Sequence, residues 1–158
     1  MALPRRIKTV TIDGAEFKIA PLTYNELEEY GERVKTAREK RLEFEKQNDD
    51  KEAANPPELQ KEMRNNAFFA ICCGLNNAIP EIIAQQDLLF REQISSEDYD
   101  KAIAAIAITP KQLLAQVDDL LGAQLASEIL NFNGLQMPSK AELLARSRAG
   151  VGETQASP

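Results

Sequence analysis

The chain has 158 residues, 43% hydrophobic and 28% charged, a balance that suits one soluble globular domain and neither a disordered tail nor a membrane protein. Its 25 acids exceed its 19 lysines and arginines, and the resulting net charge of −6 counts against nucleic-acid binding because it repels phosphate. Histidine is absent, which excludes Ser-His-Asp and Cys-His catalysis, His-ligated zinc and a histidine pH switch.

Residues Ile7 to Ile12 are β-branched and partly alternating, Asp13-Gly14 follows, and Ala15 to Ile19 resumes the pattern. A D-G pair between two such runs predicts a hairpin over 7–20, because glycine accepts the positive φ of the tight turn. Val10 and Ile12 share one face of the first strand, and Phe17 and Ile19 one face of the second. A lone hairpin is marginal in water, so these four side chains must pack on helices.

Pro21 ends the second strand, and Leu22 to Leu27 opens a helix. Thr23 is its N-cap, Glu26 closes a capping box, and Leu22 staples onto Leu27. Leu27, Tyr30, Val34, Ala37 and Phe44 form one stripe, while the remaining faces carry Lys, Arg and Glu as a solvated surface. Gln47 to Pro57 is polar and ends in a Pro-Pro pair, predicting an exposed loop between two antiparallel helices. The next helix starts at Asn55-Pro56-Pro57. Leu59, Met63, Asn66, Ala70, Cys73 and Asn77 run down one side, and Phe68, Phe69, Ile71 and Leu75 fill others, the pattern of a buried central helix. Cys72 and Cys73 point about 100° apart on a helix and read as small buried hydrophobes in a reducing compartment.

Pro80 restarts the chain, with Ile82, Ile83, Leu89, Phe90 and Ile94 as a helical stripe. Ser95-Ser96 with Glu97 and Asp98 caps a further helix lined by Tyr99, Ile103 and Ile106. Thr109-Pro110-Lys111-Gln112 opens another, and Leu114, Val117, Leu121, Leu125, Ile129 and Phe132 predict it to be continuous, bent at Gly122 and ended by Gly134 in the left-handed conformation. Ser139 to Glu142 is again a capping box, opening a short helix with Leu143 and Leu144 inside, and 151–158 reads as a mobile tail. The expected fold is mainly α: a helical bundle of about six helices with an N-terminal β-hairpin, one domain over 1–150.

No glycine cluster cradles phosphate, and Asp98-Tyr99-Asp100 and Asp118-Asp119 lack calcium-loop spacing. The carboxylates sit on exposed helical faces or at N-termini. The reading is therefore a non-enzyme with no cofactor and no metal. No run reaches the roughly 18 apolar residues of a membrane span, so the chain reads as cytosolic with no membrane or nucleic-acid partner. The candidate partner-binding residues are Leu135, Met137, Leu143 and Leu144, with Arg146 and Arg148 beside them. This segment either folds back over the bundle or forms a detachable apolar grip for a partner's helix. The hairpin edge is a second candidate surface, and either could support self-association. The residues alone lead to an acidic, mostly helical binding module.

Thr11 to Glu26 (TIDGAEFKIAPLTYNE) resembles the tail assembly chaperones of long-tailed bacteriophages: a small hairpin, then Pro-Leu-Thr, then a capping Glu opening a long helix. Asn133-Gly134-Leu135 closing a late helix also fits. The likeness covers roughly the first 35 residues closely, and beyond them lies in size and helicity. It implies a protein that binds the tape measure protein, helps recruit tail tube protein around it in the host cytoplasm, and is absent from the mature virion. A structural head–tail connector or tail component, and a small cytosolic DNA-packaging or regulatory adaptor, are the alternatives.

Overall fold

The computed structural model describes residues 6–48 and 54–135. Among them the chain is mainly α with an N-terminal hairpin: β1 (Lys8–Ile12), β2 (Ala15–Ile19), α1 (Tyr24–Asn48), α2 (Pro57–Asn76), α3 (Pro80–Phe90), α4 (Ser96–Ile106), α5 (Pro110–Gln116) and α6 (Asp119–Phe132). The strands pair antiparallel with Val10 opposite Phe17 and Ile12 opposite Ala15. Asp13 and Gly14 carry positive φ of 51° and 82°, as a two-residue hairpin turn requires. One face of the sheet is thereby inward: Val10, Ile12 and Ile19 are buried and Phe17 is half-buried against the same core.

Helix α1 begins as its sequence dictates. Thr23 N–H donates to Glu26 Oε1 at 2.8 Å, and Glu26 N–H donates to Thr23 Oγ1 at 3.3 Å. Leu22 is buried and Leu27 lies against the same core. The predicted stripe faces inward, but Ala37 is its one buried member, so α1 is an outer helix with a solvated back. Helix α2 is the centre. Nine of its residues are buried, from Leu59 to Leu75, and Ile71 and Ala70 are fully enclosed. Met63 departs from expectation: it is 48% exposed, at the lip between α1 and α6, and not part of the core side.

Three cross-contacts set the helix directions. Asn66 donates to Arg33 O, Lys40 pairs with Glu62, and Arg41 donates to Asn55, so α1 runs antiparallel to α2. The approach of Arg64 to Asp119, of Phe68 to Gly122 and of Gly74 to Ile129 places α6 parallel to α2. The hairpin seals the far end of this pair. Ala20 N–H donates to Gly74 O at 2.9 Å, and Lys8 reaches Glu128.

Two predicted helices are corrected. The stripe from Ile82 to Ile94 is shorter than expected: α3 stops at Phe90, which is 62% exposed, and Glu92 takes a φ of 57° as the chain turns. Gln93 N–H donates to Leu88 O and Glu92 N–H to Leu89 O, so the helix ends in a Schellman motif with glutamate in the glycine position. The single helix expected from Thr109 to Phe132 is two. Asp118 accepts from Leu121 N–H at 2.8 Å and starts α6 anew, so the break falls there and not at Gly122. That break also moves the inward position of α5: Leu113 is buried, whereas Leu114 is 50% exposed. At the other end the expectation holds. Gly134 has φ 84°, Leu135 N–H donates to Leu130 O, and Gly134 N–H donates to Asn131 O. The first helix also runs on through Gln47 and Asn48, two residues into the expected loop. The short helix from Ser139 and the tail over 151–158 lie outside the described residues.

Candidate interaction site

Asparagines fasten the irregular connections to the central helix. Asn77, buried, donates through Nδ2 to Pro21 O at 3.1 Å and Glu26 Oε1 at 2.7 Å, and its Oδ1 accepts from Gln86. Asn76 Nδ2 donates to Ile108 O while its Oδ1 accepts from Ile108 N–H, fixing the α4–α5 connection. Asn133 Oδ1 accepts from Leu22 N–H at 3.0 Å, and its Nδ2 donates to Ile129 O. These bonds satisfy backbone groups that neither sheet nor helix would pair, and losing an acceptor from such a site costs about 1–3 kcal/mol. The Pro-Leu-Thr corner is therefore locked from two sides, by Asn77 and Asn133.

The cysteines are structural. Both are free and buried. Burial pushes the Cys72 thiol up to about 11. Cys73 is raised too, first by burial and then by the Glu26 carboxylate to which its thiol donates. Neither is the exposed, electropositive thiolate that cysteine chemistry needs. Burial also raises Tyr30. Among the described residues no group of three or more Cys, Asp or Glu is placed to hold a metal ion.

Surface features concentrate on the two sides of α2. A groove of about 330 Å³ runs between α2 and α6, walled by Met63, Ala67, Phe68 and Ile71 on one helix and by Gly122 and Ala123 on the other. Arg64 Nε and Asp119 Oδ1 stand 3.9 Å apart on its rim, with side chains 49% and 91% exposed, so water screens that pair. Gly122 keeps the groove open. A Cβ there would meet Val117 Cγ1 at 3.5 Å and Phe68 Cε1 at 4.0 Å, ordinary contact distances, so a side chain at 122 would fit and would occupy the space. The second groove, between α1 and α2, is charged: Glu29, Glu32, Arg33, Glu58, Lys61 and Glu62 line about 400 Å³. A third hollow of about 430 Å³, lined by Ala37, Arg38, Arg41, Ala54, Asn55 and Met63, adjoins Met63 from the α1 side. The α2–α6 groove is the one whose two walls are helices presenting small and apolar side chains, which suits a helix laid into a groove.

Of the residues singled out from the sequence, Leu135 lies just past α6 and is 42% exposed. Met137, Leu143, Leu144, Arg146 and Arg148 lie outside the described residues. The α2–α6 groove was not foreseen. Met63 and Gly122 read in sequence as core and as a bend, and only the parallel packing of α6 on α2 turns them into the walls of one trough. No single helix among the described residues is long and apolar enough to cross a membrane. No family model, no curated protein and no solved structure matches this chain.

Proposed function

We propose that this chain is a tail assembly chaperone of the long-tailed phage type, acting by reversible binding and making or breaking no covalent bond. Its client is the tape measure protein, a long helical chain prone to aggregate, around which it helps recruit tail tube protein. It works in the host cytoplasm and does not enter the mature virion. The observation that carries this reading is the open α2–α6 groove, apolar at its floor and bordered by Met63, on an acidic chain whose hairpin, Pro-Leu-Thr corner and capped helix form one locked unit. An apolar trough offers contact to the stripe of a client helix, methionine adapts to varied side chains, and net negative charge keeps the loaded complex dispersed.

The test is co-expression with the longest helical protein encoded nearby, followed by pull-down and measurement of client solubility. The chaperone reading expects a complex and a larger soluble fraction, both reduced by Gly122→Leu, which fills the groove. An unchanged soluble fraction with no complex would refute it. Mass spectrometry of purified particles separates this reading from a structural tail component, which would be retained there.

A further inference from the structure

The hairpin has two edges, and they are not equivalent. Its two-residue turn makes Ile12 and Ala15 the first hydrogen-bonded pair, so Val10–Phe17 and Lys8–Ile19 are bonded as well and the pairs between them are not. The N–H and C=O of Thr9 and Thr11 therefore point outward from β1, and those of Glu16 and Lys18 outward from β2. On the β2 side the next outward amide, Ala20 N–H, donates to Gly74 O at 2.9 Å, so α2 closes that edge. The β1 edge is open: among the described residues no hydrogen bond takes up the Thr9 or Thr11 backbone groups. Ile7, Thr9 and Thr11 are all exposed, Ile7 by 46%. Of the devices that keep strand edges apart, this one has no proline and no bulge, and Lys8 is turned to the inner face toward Glu128 and the Phe132 ring.

The ends of β1 also differ in charge. Arg6 and Lys8 stand at its entry and Asp13 at its exit. A parallel neighbour of the same sequence would set Lys8 against Lys8. An antiparallel one sets the basic entry beside the acidic exit, twice across a two-fold axis, so the strand is its own complement.

We propose that two copies of this chain join through β1, antiparallel about a two-fold axis at Val10, and so merge two hairpins into one four-stranded sheet. Thr9 pairs with Thr11 of the second copy and Thr11 with its Thr9, each pair exchanging both backbone hydrogen bonds. Threonine opposite threonine is a favourable cross-strand pair, and Lys8 falls opposite Ile12 of the other copy, away from its Lys8. The contact is one short strand edge, which belongs with interfaces below about 1,200 Å², so the dimer forms and dissociates with concentration. This assembly goes beyond the chaperone reading and does not rest on it.

The test is isotope-filtered NMR on an equal mixture of carbon-13-labelled and unlabelled full chain at about 1 mM, where even a weak complex is populated. In this register the two Val10 residues face each other as a non-bonded pair, so a cross-peak between their α-protons is expected from one molecule to the other. Sedimentation should show the dimer giving way to monomer on dilution. Thr9 N–H has no partner within the chain, so Thr9→Pro spares the hairpin's own ladder. It should abolish the cross-peak and leave a monomer with an unchanged circular dichroism spectrum. If that variant does not fold, a Thr9→Lys, Thr11→Lys chain gives the same reading by setting like charges opposite, and mixing it with a Thr9→Glu, Thr11→Glu chain should restore association. A monomer at the working concentration would overturn the proposal. So would a dimer indifferent to all these substitutions, or intermolecular cross-peaks at Glu16 and Lys18 in place of Val10.

Discussion

Replacing Gly74 by alanine tests how tightly α2 and α6 are joined. A Cβ at this position would lie 2.6 Å from Ile129 Cδ1 and 2.7 Å from both Cγ1 and Cγ2. Carbon pairs are comfortable at about 3.5–4.0 Å, so the helices must part by about 1 Å or Ile129 must leave its rotamer. Ile129 is 0% exposed and sits within the hydrophobic core, so a displaced side chain must push on its packed neighbours. The Gly74 carbonyl also accepts from Ala20 N–H, so moving α2 loosens the hairpin as well. Overpacking of this kind costs about 1–3 kcal/mol. Alanine's better helix propensity returns about 1 kcal/mol. The expected net loss is up to about 2 kcal/mol, a fall in Tm of up to roughly 8 °C for a chain of this size. Urea unfolding followed by circular dichroism should give a lower midpoint at unchanged slope. Ile129→Ala removes all three clashing atoms, so it should cost less in the Gly74→Ala background than alone, with a coupling of about 1 kcal/mol or more. A Gly74→Ala chain that gains stability, or a cycle that is additive, would refute this account of the α2–α6 contact.

Asn133→Ala should destabilise by about 1–3 kcal/mol and speed hydrogen exchange at the Leu22 amide, which loses its acceptor. Asp118→Ala removes the cap that divides α5 from α6 and should cost about 1 kcal/mol in the same unfolding assay. Glu92→Gly should raise the urea midpoint by up to about 1 kcal/mol, because the left-handed conformation at that position strains any residue with a Cβ. The thiols give a pH dependence of definite sign. With Cys72 pushed up from 9.0 to about 11, the unfolded chain loses that proton first as pH rises. Stability contributed by the buried neutral thiol is whole below about pH 9 and declines toward pH 11, with a slope that Cys72→Ala should reduce.

Local chemistry announces itself in the chain. The Asp13-Gly14 turn, the Thr23–Glu26 and Thr109–Gln112 capping boxes, the proline starts at Pro57, Pro80 and Pro110 and the Gly134 stop are all where the sequence puts them. Each depends on groups within a few residues, so its signal is complete in the sequence. The exceptions obey the same logic. At Asp118 the apolar residues on both sides continue one helical period, yet its side chain accepts from Leu121 N–H and outweighs the pattern. Glu92 carries no glycine signal, because the surrounding bonds hold its left-handed turn without one.

Less of the candidate site could be read. Leu135, expected as a partner contact, is exposed beside the end of α6 and does not line the groove, whereas Met63 and Gly122, which do, read in sequence as core and as a bend. A periodic apolar residue marks a helix face without saying which neighbour covers it, and Met63 falls between two hollows, one shared with α1 and one with α6, and stays half exposed.

By itself, then, the sequence determined where elements begin and end and which faces are apolar, since these follow from capping, turn geometry and side-chain period. Only the tertiary structure decided that α6 lies parallel to α2, that Gly74 is the point of closest approach, and that Asn77 and Asn133 clamp the Pro-Leu-Thr corner. Those outcomes depend on residues 51 to 111 positions apart meeting in space, and nothing local to either partner encodes the meeting.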